Sequence, residues 1–223
     1  MSHIDFNMGV YYPQGGIYKV VEALERICLE NGVSIKTNSE VKSIKINRGL
    51  AVAVVVNQKK IESDIVISNA DYPYTEVKLL RRQHQTYSEN YWKKRTLAPS
   101  AFLIYLGIKG KVKNLSHHTL SFANNWEAHF EEIFKKPLWP QKPSYYICCP
   151  SKTDQTVAPK DCENLFILIP VASDLKDTDE IRNQYANKIL EDVENLIGER
   201  IKDRIIVKRI FSQKDFKTVY NFI

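Results

Sequence analysis

The sequence predicts an α/β segment followed by an α+β unit in which helices pack on a mainly antiparallel sheet. Three observations carry that prediction. Residues 9–71 read as a turn, an amphipathic helix, a strand, a hairpin and a continuous β-branched run, Ile65-Val66-Ile67. Five strand-like runs then fall between residues 101 and 211, and two clearly helical stretches separate them. Finally, 43% hydrophobic and 26% charged residues in a chain of 223 give the balance of a globular protein with one large or two small cores.

Taken in order, Gly9–Tyr12 suits a short strand, and Pro13-Gln14-Gly15-Gly16 is a turn whose glycines permit positive φ. Ile17, Val20, Val21, Leu24, Ile27 and Cys28 recur at helical spacing, and Asn31-Gly32 is a C-terminal stop. Val33 and Ile35 alternate with polar neighbours, as do Val41, Ile44 and Ile46, and Asn47-Arg48-Gly49 and Asn57-Gln58 turn the chain through Leu50–Val56 to Ile61. The run Ile65–Ile67 suits a strand buried on both faces. Residues 72–80 and 87–96 suit helices, with a polar stretch between them. The later strands are expected at 101–108, 119–123, 145–149, 165–171 and 205–211, with helices at 126–134 and 178–197. In the second of these helices Ile181, Tyr185, Ile189 and Val193 form one apolar stripe behind an Asp177 or Thr178 N-cap. Pro137, Pro140 and Pro143 mark a loop.

Composition narrows the function classes. The longest apolar runs are far too short to span a bilayer, and Met1–Asp5 has no basic-then-apolar leader, so the cytoplasm is the expected location. Cys28, Cys148, Cys149 and Cys162 fit no Cys-x-x-Cys pattern and are expected to be structural thiols. His117 and His118 are adjacent, so on a strand they should diverge, and no metal site is expected. No nucleophile elbow supports hydrolase chemistry. The net charge of +6 is concentrated in Lys78, Arg81, Arg82, Lys93, Lys94 and Arg95, which interleave with Tyr87, Tyr91 and Trp92. Such a cluster suits a solvated helix-loop-helix first, an anionic membrane surface second and nucleic acid a distant third, and no nucleic-acid partner is expected.

Several segments carry a family resemblance in their shared order: Gly-Val-Tyr-Tyr-Pro-Gln-Gly-Gly at 9–16, Ser-Asn-Ala-Asp at 68–71, Phe-Leu-Ile-Tyr-Leu-Gly-Ile at 102–108 and His-His-Thr at 117–119. Cys-Pro-Ser-Lys-Thr-Asp at 149–154 and Asn-Leu-Phe-Ile-Leu-Ile-Pro-Val-Ala at 164–172 continue it, and Asp215-Phe216 with Tyr220-Asn221 close it. Together they resemble the bacterial-type phytoene desaturases, FAD-dependent carotenoid desaturases and isomerases of the amine-oxidase-like flavoprotein superfamily.

The resemblance implies the middle part of an FAD/NAD(P)-binding domain at residues 1–75, followed by a substrate domain at 76–223. No Gly-x-Gly-x-x-Gly occurs in the chain. The family's Gly-rich pyrophosphate turn would therefore precede Met1, and its closing flavin segment would follow Ile223. The chain is accordingly expected to be an internal piece of a larger enzyme, inactive alone and weak in retaining flavin.

By resemblance, the backbone of Val41 holds the adenine end of FAD, and Ser68, Asn69 and Ala70 let the backbone approach the dinucleotide. Asn69 or Asp71 also suits a helix N-cap there. Tyr11, Tyr12, Pro13, Gly15 and Gly16 would lie at the flavin–substrate junction. Alternating residues of 101–108 and 165–171 would wall a hydrophobic polyene. No catalytic acid or base is assigned. A lipid-soluble substrate implies a peripheral place on the inner face of the membrane, with the 78–95 cations on anionic lipid. A retinol saturase-like enzyme, a carotenoid isomerase and a non-catalytic lipid-binding module are the alternatives.

Overall fold

The computed structural model describes residue 3 and residues 7–222, so Met1 and Ile223 lie outside the described residues. Two antiparallel sheets organise the chain. The smaller one is a meander of β1 (Val41–Asn47), β2 (Leu50–Val56) and β3 (Lys59–Glu62), preceded by helix α1 (Tyr18–Glu30). Its connections use left-handed residues where the sequence has turn formers: Arg48 and Gly49, then Asn57 and Gln58.

A short helical stretch follows, α2 (Tyr72–Tyr74), which widens into a π turn over Thr75–Leu79. Helix α3 (Glu89–Lys93) is capped by the Ser88 hydroxyl, which accepts from the Tyr91 N–H. Glu76 is buried between these pieces, and its carboxylate takes the Thr86 N–H at 2.7 Å. That bond ties the polar 81–86 stretch back onto the π turn.

The larger sheet has the order β5-β6-β7-β4-β8, with β4 (Ser100–Lys109), β5 (His118–Ser121), β6 (Tyr145–Cys148), β7 (Cys162–Val171) and β8 (Ile205–Phe211). Helix α4 (Trp126–Phe130), extended by a π turn over Glu131–Lys135, lies in the connection between β5 and β6. Helix α5 (Asp179–Ile197) crosses from β7 to β8 over β4 and covers one face of the sheet. The Thr178 hydroxyl caps its start, and Gly198 in the left-handed region closes its end. Tyr185, Ala186, Ile189, Leu190, Val193 and Ile197 of α5 meet Phe102, Ile104, Leu106 and Ile108 of β4 and Leu165, Ile167 and Ile169 of β7 in one core. Period-two alternation along β4 and β7 thus sends one set of side chains into the core and leaves the other set on the far face.

A last helix, α6 (Gln213–Tyr220), follows β8. Asp215 in its first turn accepts the Ser212 N–H at 2.9 Å, one arm of a capping box. The segment 212–220 carries that Ser-x-x-Asp signal, which the sequence reading passed over. Arg182 joins α5 to α6. It donates twice to Asp177 (2.5 and 2.7 Å) and pairs with Asp215 at 2.8 Å.

The first seventy residues depart from expectation in three places. Residues 9–12, Val33–Ile35 and Ile65–Ile67 are not strands. Ile65 and Ile67 are 76% and 89% exposed, and no residue of α1 is buried. The physical reason is common to all. A strand exists only through its ladder, and among the described residues no strand lies beside these runs to take their N–H and C=O groups. No helix among the described residues is long and apolar enough to cross a membrane.

Candidate active site

The Pro13–Gly16 turn is closed by the Gly16 N–H on the Pro13 carbonyl at 3.1 Å. Gly15 and Gly16 both sit at positive φ, 88° and 97°. A Cβ on Gly16 would press on Val157 Cγ1 at 3.4 Å, so a side chain there is both strained and crowded. The Gly15 N–H donates to Asp154 Oδ2 at 2.6 Å, across 139 residues of sequence. Asp154 also takes the Thr156 hydroxyl and N–H at 2.6 and 2.9 Å. Those Thr156 bonds first, and the Gly15 bond after them, hold its carboxyl below the usual carboxylate range.

The loop that bears Asp154 is itself fixed to β7. Ser151 and Asn164 exchange hydrogen bonds (3.2 and 3.3 Å), and the Asn164 amide donates to the Val157 carbonyl at 3.1 Å. Below it, the buried Glu163 carboxylate accepts the Val112 N–H at 2.8 Å and pairs with Lys152 at 2.9 Å. The Pro-Ser-Lys-Thr-Asp segment is therefore a rigid seat for the glycine turn.

Tyr12 continues the turn onto the sheet. Its ring meets His117 edge-on at 4.7 Å, and His117 and His118 lie 4.2 Å apart. The expected divergence of the two histidines does not hold, because β5 begins only at His118 and strand alternation does not reach His117. His117 Nδ1 is 2.6 Å from the Thr153 hydroxyl, and His118 Nδ1 is 2.6 Å from the Tyr146 hydroxyl. Burial, then the neighbouring His118, lowers the His117 pKa and disfavours its charged form. Burial first, then the Cys148 thiol, raises that of Tyr146. Donor atoms of His117, His118 and Cys148 lie within 4.8 Å of one another. Two of the ring nitrogens are engaged by Thr153 and Tyr146, so the group forms a polar knot at the rim. The Tyr12 hydroxyl and His117 Nε2 are buried there without hydrogen-bond partners among the described residues.

From Tyr146 the ring contacts run across the sheet to Phe166 at 6.3 Å and on to Tyr105 at 5.1 Å. The register arranges this face in two rows: Leu120, Tyr146, Leu168, Leu103 and Phe211 in one, His118, Cys148, Phe166, Tyr105 and Arg209 in the other. Tyr105 is 41% exposed and Leu120 61%. Five strands at ordinary spacing make a floor about 19 Å wide. It is mainly apolar and aromatic, with polar groups at the histidine rim, at Arg209 and, toward one end, at Asn164 and Lys109. A surface of this kind can bind an elongated hydrocarbon through area and shape, but it offers no acid or base to an inner carbon.

The four cysteines are free. Cys149 faces the core, and burial pushes its thiol up to about 11, which makes it an inert packing group.

The other sequence-selected residues scatter. Pro13 is half-buried in the turn, whereas Tyr11 is exposed. Val41 opens β1 opposite Val56. Ser68, Asn69 and Ala70 are exposed, and the Ser68 hydroxyl lies 2.7 Å from that of Thr75 at the head of the π turn. Lys78, Arg81, Arg82, Lys93, Lys94 and Arg95 are all exposed, and Arg95 stands over the Tyr91 ring at 4.0 Å. Tyr146 and Phe211 belong to the floor but were not singled out from sequence. Their signal was their place as alternate residues of two strands, legible only once register is known.

Comparison with known proteins fits this architecture. The chain is 44% identical over 221 residues to the carotenoid 3,4-desaturase of Haloarcula japonica, covering 99% of this chain and 45% of that protein. It is 32% identical over 176 residues to the zeta-carotene-forming phytoene desaturase of Myxococcus xanthus, covering 78% of this chain and 34% of that protein. The chain thus spans less than half the length of these relatives. Among solved structures, an oxidoreductase from Methanosarcina mazei superposes with a TM-score of 0.61 at 19% identity, over 90% of this chain and 43% of its own, and shares the fold. The pattern described as flavin containing amine oxidoreductase matches residues 3–221, and the chain belongs to that family.

Proposed function

We propose that this chain supplies the substrate floor and part of the cofactor cradle of an FAD-dependent desaturase acting on phytoene or a related carotenoid precursor. The observation that carries the reading is the apolar and aromatic second face of the five-stranded sheet, bounded by the Tyr12–His117 contact at the glycine turn, open at Tyr105 and Leu120, and covered at Phe211 by Phe216 and Tyr220 of α6. A division at residues 75/76 separates the three-stranded from the five-stranded sheet on this reading.

FAD fits the first part in a limited way. Ser68, Asn69 and Ala70 are small and exposed, and Val41 stands at the end of its strand, so their backbones are open to a dinucleotide. These four residues would hold its adenine side. The apolar stripe of α1 and the uncovered Ile65–Ile67 run match a helix and strand that complete their packing on a larger nucleotide-binding sheet. When bound, FAD supplies the hydride acceptor for removal of two hydrogens from a saturated carbon pair. The chain's own share is to orient an extended polyene along the floor and to exclude water. Tyr12, Gly15 and Gly16 set the end of the floor through the Asp154 seat.

The test is polyene binding. An achiral polyene such as lycopene, delivered in mixed micelles, should acquire circular dichroism in its visible band on binding the chain. Tyr105→Asp, a charge placed on an exposed part of the floor, should abolish that signal, whereas Lys160→Gln on the exposed surface should not. Equal signals from the chain and from Tyr105→Asp would reject the floor as the binding surface.

A further inference from the structure

Phe122, Trp126, Phe130 and Phe134 follow one another at intervals of four and form a single ladder, with successive ring centroids 5.7, 6.2 and 5.9 Å apart. They are 61%, 49%, 52% and 41% exposed. The opposite side of the same helix is already spent. His129 and Ile133 are buried against the body of the protein, and Asn125 caps the helix through the Ala128 N–H at 3.0 Å. The helix and its π turn are thus docked by one face and display Trp126, Phe130 and Phe134 on the other, and Phe122, just before the cap, extends the row. The row ends at the exposed Leu138, beside Lys135 and Lys136.

The ladder does not stand alone. Ile133, Phe134 and Pro137 line a cleft of about 790 Å³ together with Lys78, Glu89, Trp92, Lys93 and Arg95. The two features singled out by different signals, an aromatic row and a basic cluster, therefore border one surface. None of the six cations between Lys78 and Arg95 is paired with a carboxylate among the described residues. Aromatic side chains, tryptophan above all, partition to the headgroup level of a bilayer, while lysine and arginine beside them reach anionic headgroups. A protein partner would be matched by the apolar row alone. The adjoining unpaired cations favour a surface that is apolar within and negative at its rim.

We propose that the α4 ladder is a membrane-insertion element, entering the interface of an anionic bilayer with Trp126 and Phe130 at its centre, while Lys78, Lys93 and Arg95 engage the headgroups. It rests on the polyene reading only in that a lipid-soluble substrate must come from a bilayer. The experiment needs neither substrate nor flavin, so the two ideas fail separately.

The chain is mixed with vesicles of phosphatidylcholine containing phosphatidylserine, with or without bromine on the acyl chains, and tryptophan emission is recorded alongside co-flotation. Brominated vesicles should quench the emission, and Trp126→Phe should remove most of that quenching, because Trp126 is 49% exposed on the ladder whereas Trp92 and Trp139 are only partly exposed. Phe130→Asp should cut vesicle partitioning roughly tenfold or more at an unchanged melting temperature. Lys93, Lys94 and Arg95 changed together to Gln should weaken binding to anionic vesicles and leave binding to pure phosphatidylcholine unaltered. The proposal is overturned if Phe130→Asp floats as well as the parent chain, or if bromine does not quench, which would leave charge alone at work. It is also overturned if the parent chain ignores vesicles but forms a dimer that Phe130→Asp dissolves.

Discussion

At the scale of single residues, the contacts that matter most join segments distant in sequence. Arg182 is the clearest case. It is 11% exposed and bridges Asp177 to Asp215, so its removal strands a carboxylate that is 6% exposed. Arg182→Ala should destabilise the chain by about 3–5 kcal/mol, the cost of breaking a buried pair from one side, measured by urea unfolding. The pH dependence follows from the same geometry. Burial pushes the Asp177 carboxyl up, but the Arg182 and Lys214 N–H groups outweigh it and hold it below its ordinary value. A depressed carboxyl stabilises the fold above its unfolded pKa, near 4, and that contribution is lost as pH falls through the folded value. Asp177→Asn should therefore be less stable than the parent chain at neutral pH, with the gap closing as the medium becomes more acid. A gap that widened in acid would contradict this assignment.

At the scale of elements, the large sheet was legible and the surroundings of the three-stranded sheet were not. β4, β7, β8 and α5 stand close to where alternation and helical spacing put them, since each carries its own hydrophobic pattern and finds its partner within the chain. Residues 9–12, Val33–Ile35 and Ile65–Ile67 carry strand patterns too, but a pattern states a preference and only a neighbouring strand satisfies it. The α6 capping box was readable and was passed over. The pairing of Tyr12 with His117, and of Gly15 with Asp154, was not readable, because it depends on how the chain returns after more than a hundred residues. Within the core, Phe102 is the joint of β4, α5 and the proline loop, with its ring 5.4 Å from Trp139 and 5.1 Å from Tyr185. Phe102→Ala should cost about 3–5 kcal/mol, and a cooperative unfolding transition monitored by circular dichroism would record it. A loss under 1 kcal/mol would mean that the loop, rather than the ring, closes that end of the core.

At the scale of the whole molecule, the chain presents two kinds of unfinished surface with different chemistry. α1 and the Ile65–Ile67 run show aliphatic faces suited to further packing on a nucleotide-binding sheet. The five-stranded sheet shows an aromatic floor suited to a hydrocarbon ligand. The glycine turn seated on Asp154 fixes one relative to the other. The most direct measurement exchanges this chain for the matching segment of the Haloarcula japonica carotenoid 3,4-desaturase and assays the chimera for flavin content and for loss of two hydrogens from its carotenoid substrate. A yellow protein is expected that desaturates a carotenoid and loses that activity, with its flavin retained, when Tyr105→Asp is introduced. A folded, flavin-loaded chimera whose activity Tyr105→Asp leaves untouched would contradict the floor as the substrate surface.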